Sequence, residues 1–209
     1  MENYICINGK RIGLTEEQVD QIKASIQGTE AGEKKGVMLS QVAVGKTVKI
    51  GGHEMIVLEH AEGTTALIRK QLLHEEQRFG DSNNYDGSDV DDLCNEFADE
   101  ICTAVGEDNV VAHTVDLTSD DGLKDYGKVE RRCSLLTADM YRRYVDILDK
   151  FKPDSWWWLA TPHSTKRHEN DTWVKCVSPS GFIRDDCCNY GNCGVRPFCI
   201  LKSNIFVSA

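Results

Sequence analysis

The sequence has no apolar run near the roughly 20 residues that span a bilayer, and Met1-Glu2-Asn3-Tyr4 lacks the basic and apolar regions of a signal peptide. No membrane association is expected, and the expected location is cytoplasmic, or virion-associated after lysis. The chain also has no Gly-x-Ser-x-Gly elbow, no phosphate loop of the Gly-x4-Gly-Lys-Ser/Thr type and no dinucleotide fingerprint after a strand. The common hydrolase, nucleotidase and dehydrogenase signatures are therefore missing. Its nine cysteines contain no Cys-x-x-Cys pair, and an odd number without an export signal argues for reduced thiols rather than a disulfide framework. There is no internal repeat, and no low-complexity segment beyond one acidic stretch.

What is present suits a compact body. With 209 residues and 40% hydrophobic content, the chain can fill one core and carry a small appendage. Between His74 and Tyr126, sixteen Asp or Glu residues face only Arg78 and Lys124, a net of −14 within the chain's −10, so the remainder carries +4. Such segregation repels nucleic-acid phosphates, which argues against direct nucleic-acid binding, and favours a basic partner surface.

Tyr4-Ile5-Cys6-Ile7 reads as a strand turned by Asn8-Gly9 into a return strand from Lys10 to Leu14. Thr15-Glu16-Glu17-Gln18 has the capping-box pattern, and Val19, Ile22 and Ile26 continue a helix to Gly28. Residues 1–28 thus form a hairpin-helix appendage, 29–37 a linker and 38–209 the main domain. In that domain Val42-Ala43-Val44, Thr47–Ile50, Met55–Glu59 and Thr65–Ile68 read as an antiparallel meander, with Gly51-Gly52 and Glu62-Gly63 at its turns. Ser88 caps a helix to about 104 along Val90, Leu93, Phe97 and Ile101, with Asp89, Asp91 and Asp92 in its first turn. Thr137 caps a second helix to about Lys150, with Met140, Tyr141, Tyr144 and Leu148 on one side. Short strands fill the rest through Val207.

The aromatic run Trp156-Trp157-Trp158, answered by Gly194-Val195-Arg196-Pro197-Phe198, carries the most information. In a strand Trp156 and Trp158 share a face and Trp157 takes the other, so the strand is buried on both sides, or on one side with an aromatic shelf opposite. Arg196, between a glycine that admits close backbone and a proline that stops regular pairing, is placed to bond several carbonyls at once. Trp156, Trp157, Trp158, Arg196 and Pro197 are accordingly read as structural.

Asn83-Asn84-Tyr85 with Ser88, Ser134-Leu135-Leu136-Thr137, Trp156 to Pro162 and Gly194-Val195-Arg196-Pro197 occur in an order that resembles an uncharacterised domain family widespread in gut bacteria and their prophages. The resemblance covers about residues 38 to 209. The ending is also similar to the C-type-lectin-like fold of formylglycine-generating enzymes and of phage tropism-determining receptor-binding proteins. This implies an α+β fold, a C-type-lectin-like core of short antiparallel strands with two helices, beside the small N-terminal β-hairpin and helix. In the tropism proteins the region before Gly-x-Arg-Pro contacts ligand. The polar loop from Phe182 to Cys193 is the matching region and is expected at the surface. By that analogy Arg184, Asp185, Asp186, Asn189, Tyr190 and Asn192 are the candidate ligand contacts, and tyrosine and asparagine suit recognition.

Other sites weigh less. Cys187, Cys188, Cys193 and Cys199 lack paired zinc spacing, and Pro162 opposes a His163–His168 metal helix. The Asp116, Asp120, Asp121, Asp125 cluster around Gly122, and Asp81, Asn83 and Asp86 before Gly87, do not match the calcium loop and read as turn carboxylates. The lectin calcium triplets and the copper-cysteine motif of formylglycine-generating enzymes are absent. No metal, cofactor or catalytic residue is therefore expected.

The expected function is a non-enzymatic binding module, phage- or prophage-encoded, that recognises a protein or glycan through the loop before the Gly-Val-Arg-Pro strand; homo-oligomerisation is compatible with this. A rival is an intracellular anti-defence or regulatory protein whose acidic 74–126 face mimics nucleic acid. The third reading is a cysteine-dependent enzyme, with Cys176 near His163 or His168 the nearest approach to a nucleophile and base.

Overall fold

The structure, a computed structural model, describes residues 4–7, 10–19 and 36–208. The chain divides into two compact units, residues 1–36 and 37–209. In the first, Tyr4–Ile7 pairs antiparallel with Lys10–Gly13, Ile7 opposite Lys10. Residues 16–19 begin a helix whose capping box closes in both directions: Thr15 N donates to Gln18 Oε1 at 3.0 Å and Gln18 N to Thr15 Oγ1 at 3.3 Å. The Asn8-Gly9 turn, the helical positions Ile22, Ile26 and Gly28, and the linker up to residue 35 lie outside the described residues.

The second unit mixes two α-helices with mainly antiparallel sheets. Ser88 accepts the Asp91 amide and starts α1, Asp89–Val105; Thr137 accepts the Met140 amide and starts α2, Ala138–Leu148. One sheet runs Cys133–Ser134, Phe198–Lys202, Thr64–Arg69, His53–Ala61, Thr47–Ile50, and Val110–Val111 also pairs with Phe198–Lys202. The other runs Ile183–Cys187, Trp173–Val177, Trp157–Pro162, Cys193–Val195, His74–Gln77. Among the described residues no helix is long and apolar enough to cross a membrane.

The central strands of both sheets bury both faces, and the two helices explain how. Met55, Val57, Leu67 and Leu201 pack with Phe97 and Ile101 of α1, whereas their alternating neighbours Ile56, Leu58, Ile68 and Phe198 pack with Tyr141, Tyr144 and Leu148 of α2. The second sheet divides in the same way. Trp158, Cys176 and Val195 lie with Val90 and Cys94 of α1, and Trp157, Leu159 and Val177 lie with α2. A strand covered on both sides reads as a continuous apolar run, which is why Trp157–Pro162 tolerates consecutive tryptophans. Burial of such a ring is worth several kcal/mol, since Trp→Ala in a core costs about 3–5 kcal/mol.

Three expectations need correction. Val42-Ala43-Val44 is not a strand: Leu39–Gln41 forms a 3-10 turn, and Gly45, at φ +79°, reverses the chain before Thr47. Trp156 is not a structural core ring, because the strand begins at Trp157 and leaves Trp156 38% exposed, contributing only its carbonyl to Gly194 N at 2.7 Å. The stretch from Phe182 to Cys193 is not one loop, because Ile183–Cys187 forms the edge strand beside Trp173–Val177. Arg184, Asp185 and Asp186 therefore sit on a strand with alternating faces.

Candidate binding surface

The edge strand delivers the chain into a short turn that is fastened at both ends. Buried Cys188 donates its amide to Thr172 O at 2.7 Å, and its carbonyl accepts Phe79 N at 2.8 Å. Tyr190 N closes onto Cys187 O at 2.9 Å, and Cys193 then enters the sheet opposite Gln77. Across the turn, Asn192 Nδ2 donates to Asp186 Oδ2 at 2.8 Å while Asp186 Oδ1 accepts Cys187 N at 2.8 Å. Asn189, Asn192 and Tyr190 project from this clasp, the tyrosine 59% exposed. Arg184, on the same strand face as Asp186, holds its guanidinium 5.4 Å from the exposed Phe182 ring.

Asp185 points the other way and belongs to a different arrangement. Its Oδ1 accepts Lys175 Nζ at 2.8 Å and lies 3.0 Å from His163 Nδ1. Lys175, largely buried, is shared with Asp120 at 2.8 Å, which also meets Arg142 at 3.5 Å. Burial alone would lower the Lys175 pKa, but the hydrogen bonds that its ammonium donates to Asp120 and Asp185 reverse the balance and raise it. Sequence reading passed over Lys175; its one signal was a lysine inside the otherwise apolar run from Trp173 to Val177.

The neighbouring carboxylates act as ties between segments. Asp121 accepts Ser164 Oγ at 2.7 Å and faces His168 Nδ1 at 2.9 Å, and hydrogen bonds from Ser119 and Ser164 hold its pKa far below the usual carboxylate range. Asp125 accepts Thr165 Oγ1 at 2.7 Å and pairs with Arg167. Buried Asn83 completes the clasp, donating to Ser164 O at 3.0 Å and Trp173 O at 2.9 Å while accepting the Tyr126 hydroxyl at 2.7 Å. Among the described residues, no group of three His, Cys, Asp or Glu side chains is arranged to hold a metal ion.

Residues 62–203 match the model of a family described as a domain of unknown function (DUF6273). The chain belongs to this family. No curated protein and no solved structure matches it. The family's span takes in α1, α2, the whole tryptophan sheet, Arg196 and the 188–192 turn, and leaves out Thr47–Ile50 and His53–Ala61.

Two chemical properties of that span bear on function. Part of the acidic run is paired with basic residues from later in the chain: Arg131 takes Asp86 and Asp91, Arg132 takes Glu107, Lys128 takes Asp116, and Arg167 takes Asp125. Several of the described thiols are poor nucleophiles. Burial pushes Cys94 up to about 12 and Cys188 up to about 11, and Cys133 and Cys193 are raised by contact with Cys199 and Cys176 and by burial. Cys176 lies on the sheet face toward α1, opposite the Lys175–Asp185 face that His163 reaches, so these residues form no nucleophile–base pair.

Proposed function

We propose that the chain is a non-enzymatic binding module with a C-type-lectin-like core, phage- or prophage-encoded, that recognises a protein or glycan through the turn before the Gly-Val-Arg-Pro strand. The observation that carries this reading is the Tyr190 side chain, exposed on a turn fastened by the Asp186–Asn192 bond and by the buried Cys188 backbone. A rigid turn loses little conformational freedom on binding, so an aromatic and two amides displayed on it favour recognition. Arg184 and Asp186 extend the surface along the strand. Asp185 contributes indirectly, by anchoring the strand to Lys175. Against nucleic-acid mimicry stands the pairing of part of the acidic run, Asp86, Asp91, Glu107, Asp116 and Asp125, with the chain's own basic residues. Against a cysteine enzyme stand buried thiols with raised pKa values.

The experiment is capture on arrays of bacterial surface glycans and outer-surface proteins, comparing wild type with the Tyr190→Ala/Asn192→Ala double variant. Capture by the wild type and its loss in the variant, with unchanged thermal unfolding, supports the reading. Equal capture by both proteins, or binding that disappears only with added salt, rejects it.

A further inference from the structure

Cys133 and Cys199 lie opposite each other at the end of the first sheet, on the face that packs against α1. The register fixes how closely. Arg69 N donates to Pro197 O at 2.8 Å and Ser203 N to Gly63 O at 2.8 Å, so the odd-numbered residues of Phe198–Lys202 turn their backbone groups toward Thr64–Arg69. The even-numbered ones turn the other way. Ser134 and Phe198 are therefore the hydrogen-bonded pair with the Cys133–Ser134 strand, and Cys133 and Cys199 form a non-hydrogen-bonded pair. In such a pair the Cα atoms lie about 4.5 Å apart and the side chains approach most closely. That separation falls within the range of about 4.4–6.8 Å that a disulfide spans.

Both are free thiols, fully buried and in hydrogen-bonding contact with each other. Contact alone does not make them special, because Cys176 and Cys193 also touch. The strands of that second pair, however, are separated by Trp157–Pro162, which puts their Cα atoms about 10 Å apart, beyond the roughly 7 Å that a disulfide can bridge. Access to the first pair comes from its strand. Cys133–Ser134 is two residues long, ends the sheet, and meets Phe198–Lys202 through a single hydrogen-bonded pair. Such a strand opens locally far more readily than the sheet as a whole, and its opening frees Cys133 and uncovers the edge at Cys199.

We propose that Cys133 and Cys199 are an oxidisable pair that closes a cross-strand disulfide when the chain meets a low-molecular-weight disulfide such as oxidised glutathione. The Cys133 thiolate of the opened strand attacks one sulfur of the oxidant, whose S–S bond breaks and releases one thiol; the Cys199 thiolate then attacks the Cys133 sulfur and releases the second. Two cysteine thiols are oxidised, the oxidant is reduced to two thiols, and the two cysteine protons end on those thiols. The new bond ties the segment that enters α2 to the strand that follows Arg196-Pro197, 66 positions later. Closing so long a loop restricts the unfolded chain, so the protein resists unfolding more in oxidising surroundings than in a reducing compartment. The inference does not depend on the Tyr190 turn.

The test holds the full chain in oxidised glutathione, with dithiothreitol as the reduced control, and reads peptide mapping by mass spectrometry, thiol titration in denaturant and thermal unfolding. A Cys133–Cys199 linked peptide, the loss of two titratable thiols and a Tm about 10 °C above that of the reduced protein are expected, all reversed by dithiothreitol. Cys199→Ala should lose the linkage and the rise in Tm, while Cys176→Ala keeps both; if Cys199→Ala fails to fold, the wild-type linkage and its reversal still decide. Linkage of Cys176 to Cys193 instead, glutathione adducts that never resolve into the internal bond, an unchanged thiol count, or a linked protein that melts no higher would overturn the proposal.

Discussion

The guanidinium of Arg196 stacks 5.2 Å from the centroid of the Trp157 ring while donating to three backbone carbonyls, through Nε to Arg69 O at 2.9 Å and through Nη2 to Lys70 O at 3.2 Å and Phe151 O at 2.9 Å. One side chain thus joins the end of a strand, the turn after α2 and the tryptophan sheet. Burial lowers its pKa to about 10, so the group remains charged at neutral pH, solvated by carbonyl dipoles and an aromatic face. Arg196→Met strands those carbonyls and is expected to cost about 3 kcal/mol or more; Arg196→Lys, lacking the planar fork, should recover less than half of this. Urea unfolding measures both. A loss below about 1 kcal/mol for Arg196→Met would show that the carbonyls find other donors.

Gly194 has a separate reason to be glycine. A Cβ there would lie 2.5 Å from His74 O and 2.5 Å from Leu72 Cδ1, and the backbone oxygen cannot move without releasing the His74–Gln77 strand. Gly194→Ala should therefore cost about 2 kcal/mol or more and expose the Leu73 amide, which donates to Val195 O at 2.7 Å. Hydrogen exchange reads that amide directly, and unchanged protection would show that the strand accommodates the methyl.

His113 makes stability depend on pH in a defined window. Burial pushes its pKa from about 6.5 down to about 4, so the folded ring stays neutral where the unfolded ring is charged. The stabilisation is fully present above pH 6.5 and is lost as pH falls towards 4, by on the order of 3 kcal/mol in total. The difference in unfolding free energy between wild type and His113→Gln should therefore shrink across that interval. A constant difference would mean that the ring gains its proton in the folded state as readily as in the unfolded chain.

Much of this was legible in the sequence where the controlling physics is local. Ser88 and Thr137 cap their helices, and both apolar faces follow the helical spacing, because capping and periodicity act within one or two turns. The Trp156 error has an equally local cause: a period of two says which residues share a face but not where the strand begins. Ile183–Cys187 looked like loop because an edge strand lacks full covering, and Arg184 and Asp186 face outward at the rim. What the sequence could not reveal was long-range pairing. Asp91 meets Arg131 40 positions later, and Lys175 meets Asp120 from 55 positions away, so some members of a run that reads as bare charge gain their partners only once folded.

The Asn83 clasp supplies the last prediction. Its amide satisfies two carbonyls in the 164–173 segment and one hydroxyl from Tyr126, with Asp121 and Asp125 tying the same segment from alongside. Asn83→Ala leaves those buried groups unpaired, so a loss of about 2–3 kcal/mol is expected, with faster proteolysis and amide exchange confined to residues 163–173. The clasp is built from the protein's own donors rather than from a cation. Chelation by EDTA should therefore leave the unfolding temperature unchanged, and added calcium should not restore the Asn83→Ala loss. A calcium-dependent rise in Tm of the wild type would assign the Asp116–Asp125 cluster to a metal and overturn the clasp reading.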